Sequence, residues 1–302
     1  MKILLVNIDS KLPNIALHKI EKYYLDKGDS VTWDDKFSIQ FSDKIYVSCI
    51  FTKNKQECKF YEGIADIGGT GYDVHKKLPE EIERIPLRIN YGFTLRGCIR
   101  KCEFCLVHRA EGNIRVVGDL YDIWDGKSKE VTFLDNNILA LPEHFKKICE
   151  QLQKEKLKGD FNQGLDVRLL TDDLAEVIKK TKLQNVRFAY DNTNLKNTIE
   201  NKMKVLDKYN IHAMWYVLAG FKSDFADALS RVQFLIKNKQ RAYLMRHEDV
   251  EKDRRYTALA RWCNSPIFGK GTIPFKKYLN ESEDGGHYVK YFTKDEMKLW
   301  KN

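Results

Sequence analysis

The chain has 302 residues, 43% hydrophobic and 31% charged, with seven cysteines and a formal net charge of +9. That length supports one large core or two modest ones, and the composition excludes wholesale disorder and a multi-span membrane protein. The positive surplus fits a nucleotide or nucleic-acid partner, and equally a set of solvated lysine-rich helix faces. The first ten residues lack the apolar length of a secretory signal, and the longest apolar run, residues 214–221, is too short to span a bilayer. The expected location is therefore the cytoplasm, with no membrane partner.

Residues 2–6 read as a buried strand and residues 13–27 as an amphipathic helix closed by Lys27-Gly28. Residues 31–33 and 44–51 supply two further strands, and a helical turn leads into Ala65-Asp66-Ile67-Gly68-Gly69-Thr70-Gly71. These form a small Rossmann-like α/β domain over residues 1–86. The glycine cluster has neither familiar nucleotide-binding spacing, so turn chemistry competes with a phosphate cradle and is the plainer reading.

From residue 87 onward, a short β-branched or aromatic run followed by an amphipathic stretch recurs six times. The strand candidates are 87–94, 130–135, 160–167, 185–191, 212–220 and 241–246. Thr171-Asp172-Asp173 and Ser223-Asp224 carry the capping and acidic first-turn signals of helix starts. Six units are too few for a closed eight-stranded barrel and imply a partial (β/α)6 parallel barrel over residues 87–264. Its active end lies at the carboxyl ends of the strands. Residues 265–302 form a C-terminal extension expected to pack on the barrel. It includes Phe268-Gly269-Lys270-Gly271-Thr272, and among its lysines stand Phe275, Tyr278, Tyr288 and Tyr291, which suit base stacking or ordinary surface roles.

Directly after the first barrel strand comes Gly97-Cys98-Ile99-Arg100-Lys101-Cys102-Glu103-Phe104-Cys105, with spacing C-x3-C-x2-C. Three thiolates can hold an iron-sulfur cube and leave its fourth iron open to substrate or cofactor. Two other readings stand beside this one. The spacing also fits buried cysteines on one helix face, and His108 is placed to complete a Cys3His zinc site. The zinc alternative yields a non-catalytic basic module that braces a nucleic-acid surface.

The triplet, with Phe104 before its last cysteine, Leu95-Arg96-Gly97 ahead of it and Arg109-Ala110-Glu111-Gly112-Asn113-Ile114-Arg115 behind it, resembles the radical S-adenosylmethionine (SAM) superfamily over residues 87 to about 264. The resemblance implies a 4Fe-4S cluster on Cys98, Cys102 and Cys105, SAM chelated to the open iron, and reductive cleavage to a 5′-deoxyadenosyl radical that takes hydrogen from substrate. It implies a one-electron donor such as flavodoxin or ferredoxin. It places Asp135 and Asn136 near the SAM amino group, Gln163 and Arg168 near ribose and carboxylate, Asp191 at the ribose hydroxyls, and Leu218 and Gly220 along adenine. Helix capping or turn formation competes for Asp135 and Asn136.

The N-terminal domain is similar to the cobalamin-binding fold that precedes many such barrels. Members that bind cobalamin base-off present Asp-x-His-x-x-Gly, whereas Asp9-Ser10-Lys11-Leu12-Pro13-Asn14 has lysine in place of histidine. Cobalamin is therefore expected to be unlikely, and the domain reads as a degenerate scaffold or substrate lid. Cys263 lies in an apolar helical pattern and reads as core. Arg241, Arg246, His247, Arg254 and Arg255 suit either a phosphate site or an ion-pair face with Glu248, Asp249, Glu251 and Asp253. The motifs encode neither the substrate nor the oligomeric state.

Overall fold

In the computed structural model, which describes residues 1–266 and 273–299, the apolar run Ile3 to Val6 becomes the central strand of a parallel sheet, buried on both faces. This strand, β1 (Lys2–Asn7), pairs with β2 (Ser30–Trp33) on one side and β3 (Lys44–Ser48) on the other, and β4 (Asp66–Gly68) extends the sheet beyond β3. Helix α1 (Ile15–Leu25) starts where the Asn14 side chain accepts a hydrogen bond from Leu17 N, and packs Leu17, Ile20 and Tyr24 against Ile3 and Leu5. Leu4 and Val6 meet Ile45, Val47, Cys58 and Tyr61 on the opposite face, the last two from a 3-10 segment, Thr52–Tyr61.

The glycine cluster is shaped by packing. Gly69 has φ +95°, and a Cβ there would lie 2.3 Å from the Cys49 carbonyl oxygen; at Gly71 it would lie 2.5 Å from the Phe51 carbonyl carbon. Both glycines let this loop rest backbone to backbone on residues 49–51. Phe268-Gly269-Lys270-Gly271-Thr272 lies outside the described residues.

After α2 (Glu80–Glu83) the chain enters β5 (Tyr91–Gly92), β6 (Leu95–Arg96), α3 (Val107–Ala110), β7 (Arg115–Val116), α4 (Leu120–Ile123) and β8 (Glu130–Phe133). The strand expected over 87–94 is reduced to two residues, which pair in parallel with Thr132 and Phe133. The cause is Asn90, which takes φ +62° and spends its side chain on Asp125 and Ser128. β6 and β7 pair antiparallel, Leu95 with Val116 and Arg96 with Arg115. These elements lie in the first of two compact units, residues 1–136; the second spans 137–302.

The second unit alternates helix and strand: α5 (Pro142–Lys154), β9 (Lys158–Phe161), α6 (Asp172–Lys180), β10 (Val186–Ala189), α7 (Lys196–Lys208), β11 (Ala213–Ala219), α8 (Phe225–Lys237), β12 (Arg241–Arg246) and α9 (Arg254–Asn264). β10, β11 and β12 form a parallel sheet, and single parallel bridges tie Gly159 to Leu183 and Leu165 to Phe188. Thr171 and Asp224 cap α6 and α8 as their sequence signals predict. The expected strand over 160–167 instead stops at Phe161, because Gly164 turns back with φ +82° and donates to the Phe161 carbonyl.

The chain continues through α10 (Phe275–Glu281), α11 (Glu283–Gly286) and α12 (Lys294–Leu299). Phe275 and Tyr278 are buried, with Phe275 against Trp262, so neither presents a ring for base stacking. Among the described residues no helix is long and apolar enough to cross a membrane.

Candidate cluster site and strand ends

The cysteines occupy the long connection between the two-residue strands β6 and β7. Outside the turn in which Cys105 N donates to the Cys102 carbonyl, the segment from Cys98 to Cys105 has no helical structure, so the buried helix-face reading of the spacing does not hold. Gly97 starts the connection with φ +82°, and a Cβ there would lie 2.3 Å from the Asn113 carbonyl oxygen. Only glycine lets the two ends of this loop close so tightly.

Asp135 and Asn136 anchor the same entrance. One Asp135 oxygen accepts from Thr94 N at 2.7 Å and Leu95 N at 2.8 Å, the other from Thr94 Oγ1 at 2.6 Å, and Asn136 Oδ1 accepts from Gly97 N at 2.9 Å. Burial pushes the Asp135 carboxyl up to about 6 against the lowering effect of these hydrogen bonds. The two residues therefore hold three of the four positions ahead of Cys98, Thr94, Leu95 and Gly97, through four hydrogen bonds. Only their strand-end placement was legible in the sequence.

Cys98, Cys102 and Cys105 are half-buried, as is Phe104, whereas Cys49, Cys58, Cys149 and Cys263 are buried. Burial pushes the Cys49, Cys149 and Cys263 thiols up to about 12 and leaves them protonated and unreactive. Cys263 is thus a core residue. Among the described residues no three His, Cys, Asp or Glu side chains already stand in metal-holding geometry. A metal gathers such ligands as it binds, and three thiols on one irregular loop are a donor set suited to a cluster with an open iron. His108 follows on α3 with its Nδ1 buried and without a hydrogen-bond partner, a cost that native structures seldom leave uncompensated.

Ion pairs tie this hairpin to the sheet domain within the first unit. Lys19 on α1 meets Glu83 at 3.2 Å, Arg96 meets Glu83 at 3.4 Å and Glu111 at 2.8 Å, and Arg115 donates to the Glu111 carbonyl at 2.6 Å. The Arg96 guanidinium also lies 4.0 Å from the Phe93 ring centroid. Burial lowers the Lys19 pKa, opposed by Glu83. Nothing in the residue pattern flagged this series, because its members lie far apart in sequence.

At the carboxyl ends of β1, β3 and β4 a cleft of about 620 Å³ opens, lined among others by Ser10, Asn14, Ser48, Thr70, Phe93 and Arg96. This is the switch point of the sheet, where the connections after β1 and β3 run in opposite directions and where ligands of open α/β sheets bind. Asp9 accepts hydrogen bonds from Ile50 N, Phe51 N and Asn54, bracing the cleft, and Lys11 is exposed.

In the second unit, Arg168 pairs with Asp166 at 2.6 Å through Nε. Asp191, after β10, is pushed up to about 6 by burial, with Arg168 and then Arg231 opposing the shift. The structure thus brings Arg168 and Asp191 together. Gln163 is exposed beyond β9, and Leu218 is half-buried on β11. Gly220 has φ +87° and a Cβ there would meet the Val250 side chain at 2.3 Å, so its glycine identity is required by local packing. In the basic cluster after β12, Arg255 pairs with Asp253 and Glu296 and His247 meets Asp249, as an ion-pair face requires, while Arg246 donates to the Glu251 carbonyl and the Thr257 hydroxyl.

The α/β fold of this chain, with its parallel sheet and run of parallel β/α units, is shared with a solved radical SAM enzyme. The radical SAM methyltransferase TsrM from Kitasatospora setae, solved with cobalamin and a [4Fe-4S] cluster bound, superposes with TM-score 0.60 and 11% identity over 81% of this chain and 74% of its own. The same enzyme with tryptophan substrate and the SAM analogue aza-SAM gives 0.60 and 11% over 80% and 72%. Methylornithine synthase, PylB, gives 0.39 and 11% over 71% and 69%. No protein-family model and no curated protein matches the chain by sequence. The likeness to TsrM establishes the fold and corrects one expectation. A protein with this fold is solved with cobalamin bound, so the absence of histidine at Lys11 does not make that cofactor unlikely.

Proposed function

We propose that the chain is a radical SAM enzyme whose Cys98, Cys102 and Cys105 hold a 4Fe-4S cluster. The observation that carries the reading is the setting of the triplet: C-x3-C-x2-C on a braced hairpin loop, in a chain with the fold of a radical SAM methyltransferase. Held by these three thiolates, such a cluster would supply the one electron needed to cleave SAM to the 5′-deoxyadenosyl radical. The protein's own residues orient and shield. Asp135 and Asn136 fix the strand end near the SAM amino group, Arg168 pairs with the carboxylate, and Gln163 and Asp191 serve the ribose. Leu218 and Gly220 line adenine, and Phe104 covers the cluster loop. A flavodoxin or ferredoxin is the electron donor, and the +9 charge favours a nucleotide or nucleic-acid substrate.

Cobalamin is a second cofactor supported by the 620 Å³ cleft at the sheet's switch point. With Lys11 exposed and the Asp9 carboxylate already engaged, cobalt would receive no side-chain ligand from that loop.

Anaerobic reconstitution is expected to give a brown protein with about four irons per chain that forms 5′-deoxyadenosine from SAM under a low-potential reductant. A colourless protein carrying one tightly bound zinc and no SAM cleavage refutes the reading in favour of the Cys3His module. Hydroxocobalamin titration followed by visible absorbance tests the cleft.

A further inference from the structure

We infer that His108 donates a hydrogen bond from Nδ1 to a sulfur of the iron-sulfur cluster and is not an iron ligand; this rests on the cluster reading above. His108 lies three residues beyond Cys105, on the one-turn helix α3, and two contacts fix that turn. Ala110 is buried and donates to the Leu106 carbonyl at 2.8 Å, and Glu111 is locked to Arg96, two residues before Cys98. Leu106 on the same turn is 41% exposed, whereas His108 Nδ1 is sealed from solvent with no acceptor. A buried ring nitrogen one turn after a cluster cysteine needs a partner, and in the Nδ1–H tautomer that partner is an acceptor. A cluster offers several, in its sulfides and thiolates, and three cysteines already satisfy its protein ligation. Hydrogen bonds to cluster sulfurs favour the reduced, more negative form, so this bond raises the reduction potential.

The test compares reconstituted wild type, His108→Phe and His108→Asn without SAM, by iron and sulfide content and by an EPR-monitored redox titration. All three are expected to hold about four irons. The phenylalanine variant is expected to titrate at a more negative potential, and the asparagine variant, whose amide N–H takes the place of Nδ1–H, near wild type. Should His108→Phe fail to fold, His108→Gln, with its amide at the Nε2 position, is expected to shift while asparagine does not. An unchanged midpoint in the variant lacking the donor overturns the inference with the cluster intact. Loss of iron from it overturns the inference in favour of a ligand role. A wild-type chain that takes up no cluster refutes the underlying reading as well.

Discussion

Asp135 gives the sharpest energetic test, because its two oxygens do different work. Oδ1 accepts from the backbone N–H groups of Thr94 and Leu95, and Oδ2 accepts only from the Thr94 hydroxyl. Asp135→Asn keeps Oδ1 and lets the amide N–H donate to a reversed Thr94 hydroxyl, so all three bonds survive without a buried charge. Asp135→Ala removes all three and strands two backbone donors, a loss of about 3–5 kcal/mol. The pH dependence follows from the carboxyl held at about 6, above its unfolded value of about 4. A raised carboxyl makes the fold most stable below pH ~4, and stability falls as pH climbs toward about 6, by up to about 3 kcal/mol from this group. Urea denaturation of the metal-free protein from pH 4 to 7 should show a slope shallower in Asp135→Asn than in wild type, with the variant at least as stable at pH 7. Equal destabilisation by asparagine and alanine would refute the assignment of the bonds.

Gly97→Ala should lower stability and cluster uptake together, since its Cβ would meet the Asn113 carbonyl at 2.3 Å in a left-handed backbone; thermal melts and iron content report both. Asp227→Ala leaves the buried Arg231 guanidinium without its carboxylate partner at 2.7 Å and should cost about 3–5 kcal/mol, measured by denaturant midpoint. Replacing Cys98, Cys102 or Cys105 with serine should abolish iron binding, whereas Cys263→Ser should retain it. Iron retained in the three loop variants would remove the cluster assignment.

Periodicity made the parallel strands and most helix starts legible: residues 241–246 form a strand over their whole predicted length, and Thr171 caps where its acidic first turn implies. Two strands were overextended because one residue in each stretch takes a left-handed backbone, Asn90 and Gly164, and local hydrophobicity does not register a turn inside an apolar run. The cysteine loop stood out because three rare, reactive residues crowd a short segment. Its supports did not, since Asp135 reaches Thr94 across 41 positions and Glu83 reaches Arg96 through space. Sequence pattern records what recurs locally, while these contacts depend on topology.

The ion pairs running from Lys19 through Glu83 and Arg96 to Glu111 bear on how such a chain can be recombined. A cut near residue 86 looks natural by composition, yet it would orphan Arg96 from Glu83 and unseat the hairpin that carries the cysteines. Grafting a foreign N-terminal layer ahead of residue 87 therefore requires that it bring counterparts of Lys19 and Glu83 to meet Arg96. Inheritance of the cluster loop is tied to inheritance of the sheet beside it.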